Sequence, residues 1–253
     1  GKGIKAKSAN KFVRGIYKWI FKEERIILLS PLLLYDIEDV VHSDQILYVP
    51  NGIKEPDDFF IQNRRIHRET PRILYLSNII ETKGPIVLLK ACKILKNQGY
   101  DFVVTFVGSY SMSITQDRFH KLVMENDLHK NVELPGPKYG DDKAKVIGNS
   151  DIFVFPTSND IWGSVILEAM AYGLPTIATI EGAIPEIIDN EKTGFLVEKN
   201  DIRALAEKIA FLIDNPEIGF AMGMAGREKY LRYYTLDTFN EDLLRAFDII
   251  TGK

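Results

Sequence analysis

Asp160 and Glu168 stand eight residues apart on either side of a glycine, in the run Phe155-Pro156-Thr157-Ser158-Asn159-Asp160-Ile161-Trp162-Gly163-Ser164-Val165-Ile166-Leu167-Glu168, which continues to Gly173-Leu174-Pro175. An apolar, strand-like segment gives way to a polar loop, turns at Gly163 and opens a helix with the second carboxylate about one turn in. Glycine lets a ligand approach the backbone closely. The first amides of a helix lack intrahelical acceptors, so the N–H groups of Ser164 and Val165 would point at a phosphate. Glu168 could then accept hydrogen bonds from sugar hydroxyls, and it suits a capping or ion-pairing role equally well.

Two further loops have the same strand-to-helix form. In Ser77-Asn78-Ile79-Ile80-Glu81-Thr82-Lys83-Gly84-Pro85, the proline fits a first helical turn and Gly84 a tight approach to it. Lys83 would project toward an anion at that N-terminus, although a lone lysine there is also at home in water. Glu181-Gly182-Ala183-Ile184-Pro185-Glu186 is another glycine turn opening a short helix, and a plain strand-to-helix connection explains it as well.

Elements that could position these loops follow from alternating apolar runs and helical patterns, the signature of βαβ units around a parallel sheet. Strands are predicted at Arg25–Leu29, Ile46–Val49, Arg72–Leu76, Phe102–Val107, Val132–Leu134, Ile152–Phe155, Thr176–Ala178 and Phe195–Val197. Helices are predicted at Pro85–Lys96, Gln116–Glu125, Asp141–Ile147, Ser164–Tyr172 and Ile202–Ile213, the last capped by Asp201 and ended by Asn215-Pro216. A final helix is expected to start with the capping-box spacing Thr238 to Glu241. In open parallel sheets, ligands bind at the carboxyl ends of the strands, where all three loops would lie.

The segment 51–70, with Asn51-Gly52, Glu55-Pro56-Asp57-Asp58 and the charged run Asn63 to Glu69, reads as a linker. Six strands follow it and two precede it. A two-stranded piece is marginal alone, so residues 1–50 are expected to be part of a first domain and 71–253 a Rossmann-like domain with its C-terminal helix.

The whole chain, 253 residues with 45% hydrophobic and 26% charged, has an ordinary globular profile. The longest apolar stretch, Ile26 to Leu34, is broken by Ser30 and Pro31, and neither a membrane span nor a signal peptide is expected. A lone cysteine, Cys92, fits a reducing compartment, and a net charge of −3 argues against generic nucleic-acid binding. The charge is uneven: residues 1–25 hold eight Lys or Arg against Glu23 and Glu24, a net of +6. Val13, Ile16, Tyr17 and Ile20 there fall on one helical face, with Lys11, Arg14, Lys18 and Lys22 mostly off it. Such a helix, carrying Trp19 and Phe21, suits either an anionic lipid surface or ordinary packing. His42, His67, His120 and His129 are scattered, and the chain lacks an Asp-x-Asp motif, so no metal is expected.

The order of Val49-Pro50-Asn51-Gly52-Ile53, Lys83-Gly84, the Asp160 to Pro175 run, Gly182 to Glu186 and Thr193-Gly194-Phe195-Leu196-Val197 resembles retaining glycosyltransferase family 4, with the GT-B fold. The resemblance covers nearly the whole chain and is most specific from Gly163 to Pro175. It implies a two-domain enzyme that takes a hexosyl group from a nucleotide-diphosphate sugar, without metal or other cofactor, to a saccharide or lipid-linked acceptor in polysaccharide synthesis. The second domain would bind the donor, and the N-terminal part would be a remnant of the acceptor-side domain, with Lys2-Gly3-Ile4 the end of one of its glycine-rich loops.

Residue by residue, the resemblance implies that Lys83 and the backbone at Gly163, Ser164 and Val165 contact the diphosphate and Glu168 the ribose. Asp160 stands where the family usually has a glutamate beside the transferred sugar. Ser77-Asn78 replaces a frequent Gly-Arg, so Asn78 brings a hydrogen bond without charge. Gly136-Pro137-Lys138-Tyr139 matches the region that borders the base. The expected working place is the cytoplasm, at the inner face of the membrane, and the chain by itself is expected to bind donor without transferring it. The alternatives are a nucleotide-binding module of the same fold without chemistry, or an epimerase or phosphorylase, for which no lysine-rich cofactor segment is present.

Overall fold

The computed structural model describes residues 10–62 and 68–252. The Lys2-Gly3-Ile4 segment, part of the N-terminal basic cluster, and residues 63–67 of the charged run, His67 included, lie outside the described residues. The chain forms two compact units: residues up to Lys54 with those from Arg232 onward, and Glu55–Leu231. The C-terminal helix therefore groups with the N-terminal residues, whereas the sequence reading had placed it with 71–253.

Glu55–Leu231 holds a six-stranded, wholly parallel sheet. Its strands are β3 (Arg72–Leu76), β4 (Val103–Val107), β5 (Val132–Glu133), β6 (Ile152–Phe155), β7 (Thr176–Thr179) and β8 (Gly194–Val197), in the order β5-β4-β3-β6-β7-β8. Every residue of β6 and β7 is buried, as in a sheet covered on both faces, and this is why β6 reads as an unbroken apolar run; β7 buries a threonine at each end. Ile73, Tyr75, Val104, Phe106, Val154 and Ile177 pack with Leu88, Cys92 and Leu95 of the following helix into one core. β3 pairs with β4 on one side and β6 on the other, so the chain reverses its direction of growth there, and the loops after β3 and β6 border the crevice.

The helices of this unit are α2 (Asp58–Gln62), α3 (Pro85–Asn97), α4 (Gln116–Glu125), α5 (Gly140–Gly148), α6 (Ser164–Ala171), α7 (Ile184–Ile187), α8 (Ile202–Asp214) and all but the last two residues of α9 (Pro216–Tyr233). Two depart from expectation. α2 lies inside the expected linker, where Phe60 packs on Tyr172 with ring centroids 5.5 Å apart. α9 starts at the proline that the sequence reading took only as a stop: Pro216 does follow the end of α8, and it also occupies the first turn of the next helix. Gly219, Gly223 and Gly226 hide the apolar period of α9. A Cβ at Gly223 would collide with the Gly173 carbonyl just beyond α6.

The other unit contains α1 (Lys11–Ile20), the parallel pair β1 (Ile26–Leu28) and β2 (Ile46–Tyr48), and α10 (Leu236–Thr251). Its small core is Ile37, Val40, Val41 and Ile46, with Tyr17 and Phe21 against it. The expected cap of the last helix is corrected: Thr235 caps α10, its hydroxyl accepting from the Thr238 amide at 3.1 Å, so Thr238 sits inside the first turn. No described helix is long and apolar enough to cross a membrane.

Candidate functional site

The β3 loop and the β6 loop are joined by main-chain bonds. The Thr82 carbonyl accepts from the Ser158 amide at 2.8 Å and from the Thr157 hydroxyl at 3.0 Å. Gly84, with φ +74°, leads into α3, and a Cβ there would collide with the Pro156 carbonyl. This fixes Lys83, the residue before it, over the β6 loop. Its ammonium donates to Asp160 Oδ2 at 2.6 Å and to the Asn159 carbonyl at 3.0 Å, above the ring of Phe155.

Asp160 works in two directions. While Oδ2 holds Lys83, Oδ1 accepts from the amides of Trp162 at 3.0 Å and Gly163 at 2.8 Å. The carboxylate thus closes the turn that launches α6, with Gly163 at φ +77° as the N-cap residue. Ser164 and Val165 open α6 at the carboxyl end of β6, and at such a helix start the unpaired amides and the dipole favour an anion.

Beside this turn lies a cleft of about 170 Å³. Asn78 comes from the β3 loop, Ser109 from the β4 loop, Pro137, Lys138 and Tyr139 from the segment before α5, and Val165 and Glu168 from α6. Val165 and Glu168 are three residues apart on one helix and so share a face. Asn78 is held in place by Tyr75, whose buried hydroxyl donates to the Asn78 carbonyl at 3.0 Å. Burial pushes the Tyr75 phenol above its usual range.

Of the residues singled out from sequence, Asn78, Lys138, Val165 and Glu168 meet in this cleft. Lys83, Asp160, Gly163 and Ser164 are not among its lining residues; Lys83, Asp160 and Gly163 make the bonded turn described above, and Ser164 opens α6. Two polar lining residues were missed, Ser109 of the β4 loop and Lys143. Lys143, from the first half of α5, reaches Glu168 Oε2 at 2.6 Å. Nothing in the local pattern around Lys143 signals this pairing, because its partner is 25 positions away on another helix. Tyr172, one turn beyond Glu168, has its phenol pushed up to about 12 by burial first and then by the negative charge of Glu168 and Asp141. The third glycine loop is also tied in: Glu181 pairs with Lys199, and the Ala183 amide donates to the Ile161 carbonyl at 2.9 Å.

A family profile described as "Glycosyl transferases group 1" matches residues 57–229. The chain is 30% identical over 179 residues to a putative colanic acid biosynthesis glycosyltransferase, WcaL, of Escherichia coli, covering 68% of this chain and 43% of that protein. It is 30% identical over 201 residues to the capsular polysaccharide biosynthesis glycosyltransferase CapM of Staphylococcus aureus, covering 76% of this chain and 51% of that one. The chain thus spans about half the length of these relatives. Among solved structures, a glycosyltransferase from Rickettsia africae superposes with a TM-score of 0.81 at 24% identity, over 96% of this chain and 67% of that one. Anabaena HepE, solved in complex with UDP, superposes with a TM-score of 0.83 at 17% identity, over 98% of this chain and 70% of that chain. At these identities the superpositions speak for the fold.

Proposed function

The chain belongs to the group 1 glycosyl transferases, and on that premise we propose that it carries the donor-binding half of a retaining, metal-independent glycosyltransferase. Its donor would be a nucleotide-diphosphate hexose and its acceptor a saccharide or lipid-linked saccharide of an envelope polysaccharide. The observation that carries this reading is the convergence of Asn78, Lys138, Val165 and Glu168 in one cleft at the switch point of a parallel sheet, beside a helix N-terminus.

The chemistry is electrostatic. A departing nucleoside diphosphate gains negative charge, and the amides of Ser164 and Val165, set in place by the Gly163 turn, with Lys83, would stabilise that charge more in the transition state than in the ground state. Glu168 would hold the ribose. Lys138 and Asn78 would lie along the nucleotide, and Tyr139, exposed at the rim, would border the base. Asp160 would organise the turn and steer Lys83, with one edge toward the transferred sugar.

A thermal-shift panel of UDP-, GDP- and ADP-sugars tests the reading, since a ligand that binds only the folded state raises its stability. We expect one base to raise Tm, the shift to persist in EDTA, and Glu168→Ala to abolish it. No shift with any of the three would overturn the assignment. The chain alone should bind without transferring, and sugar transfer by purified material would contradict that part.

A second reading, binding without chemistry, is favoured by one feature: both oxygens of Asp160 are already bonded within the turn. Fusing the chain to the N-terminal part of a group 1 relative and assaying turnover separates the two. The working place we propose is the cytoplasmic face of the membrane. Phe12 and Trp19 of α1 are 77% and 78% exposed, and Lys11 and Lys18 flank them, as suits an anionic bilayer. Sedimentation with anionic vesicles that fails to respond to salt would remove this placement.

A further inference from the structure

We propose that Lys143 is a second reader of the donor's ribose, acting with Glu168 as one unit that recognises a vicinal diol. The proposal rests on the donor-cleft reading above and extends it to a residue that the sequence motifs do not contain.

The geometry is specific. Lys143 and Glu168 approach to 2.6 Å from two different helices, with side chains 33% and 22% exposed, and both line the cleft. A carboxylate alone can only accept hydrogen bonds, and an ammonium can only donate them. A sugar hydroxyl does both. With Oε2 held by Lys143, Glu168 keeps Oε1 as a free acceptor, and Lys143 keeps two of its three N–H donors. The pair therefore presents an acceptor and a donor side by side, which matches two neighbouring hydroxyls, one donating to Glu168 and the other accepting from Lys143. Neither residue alone offers that combination.

The surroundings give Lys143 a further task. The charges of Glu168, Asp141 and Asp57 all act on the phenol of Tyr172, one turn beyond Glu168, so the surroundings are rich in negative charge. Lys143 is the cation bonded to Glu168, and it fixes which way the carboxylate points. Lys138, the other lysine of the cleft, has no such bond to Glu168 among the described contacts and remains available to phosphate. The expected ligand class is thus a ribonucleotide, with discrimination against the deoxyribonucleotide.

Calorimetric titration of the full chain tests this with the nucleoside diphosphate that gives the largest thermal shift and with its 2′-deoxy counterpart. Four proteins are compared: wild type, Lys143→Met, Glu168→Gln and the double variant, with Lys143→Arg as a milder change should Lys143→Met fail to fold. The expected result is that Lys143→Met weakens ribonucleotide binding by about tenfold or more and deoxyribonucleotide binding by much less, as for a lost charge-assisted hydrogen bond to a substrate hydroxyl. The double variant should be no weaker than the worse single variant, and Lys143→Arg should keep part of the preference. Equal losses on both nucleotides, or additive losses in the double variant, would overturn the proposal and make Lys143 a phosphate contact or a structural ion pair. If wild type binds no nucleoside diphosphate, the donor-cleft reading falls and this proposal with it. If wild type binds and Lys143→Met is silent, only this proposal falls.

Discussion

Asp160 joins an ion pair and a turn in one side chain, and the two can be separated by substitution. Asp160→Asn keeps an oxygen for the Trp162 and Gly163 amides but loses the charge that holds Lys83. Stability should stay within about 1 kcal/mol of wild type, while nucleoside diphosphate binds severalfold more tightly, because a carboxylate beside the anion is gone and Lys83 is released. Asp160→Ala removes the amide acceptor too and should cost about 1–2 kcal/mol in a urea melt. Weaker diphosphate binding by Asp160→Asn would show that Lys83 needs its carboxylate in order to be placed. Tyr172 gives a pH-dependent test. Its phenol is pushed up to about 12 in the folded state against about 10 when unfolded, so the neutral form is favoured by folding. That contribution is complete below pH 10 and declines as pH rises toward 12. Tyr172→Phe, which keeps the ring packed on Phe60, should lose less stability than wild type across that window, read from urea midpoints at successive pH values. Lys143 shows what sequence could not supply at this scale. Residue type and local spacing pointed to Glu168, but an ion pair between two helices has no local signature.

Two glycines play the same part at the start of two helices, and their surroundings separate them. Gly84 and Gly163 both sit at positive φ as N-cap residues, which costs a substituted side chain about 1–2 kcal/mol at either place. At Gly84 the added carbon would also strike the Pro156 backbone, which cannot move without shifting β6. At Gly163 it would meet only the side-chain ends of Ile166 at 3.0 Å and Ile184 at 3.4 Å. Gly84→Ala should therefore destabilise by about 3 kcal/mol or more and Gly163→Ala by about 1–2 kcal/mol, measured by urea denaturation. Comparable losses would mean that the β3 and β6 loops are not locked together. The strands of this sheet were readable because a parallel strand buried on both faces is an uninterrupted apolar run, and Arg72–Leu76 and Ile152–Phe155 match to the residue. α9 was not readable, because its glycines serve close backbone packing, and a proline after Asn215 ends one helix and begins another with the same residue. The last helix was found but started three residues late, since Thr235 and Thr238 are both plausible caps by type and only the backbone decides between them.

At the scale of the whole molecule, the two units differ sharply in how much they bury. Glu55–Leu231 encloses a six-stranded core, while the other unit has two short parallel strands and a core of four buried residues. Two strands are marginal in water, and opening free energies follow local burial, so the smaller unit should unfold at lower denaturant than the larger. The chain carries its own reporters of this difference, because its two tryptophans divide between the units: Trp19 on exposed α1 and Trp162, 3% exposed, in the turn before α6. Trp162→Phe leaves Trp19 as the sole indole, and Trp19→Phe leaves Trp162. Fluorescence melts of the two variants should give separate midpoints, with the Trp162 transition later. A bound nucleoside diphosphate should raise only that later midpoint, because its stabilisation acts on the unit that holds the cleft. Hydrogen exchange gives the same comparison without substitution: amides of β1 and β2 should exchange before those of β3, β4 and β6. Coincident midpoints, moving together on addition of nucleotide, would mean that the smaller unit draws its stability from the larger, and the cleft would then have to be treated as a property of the whole chain.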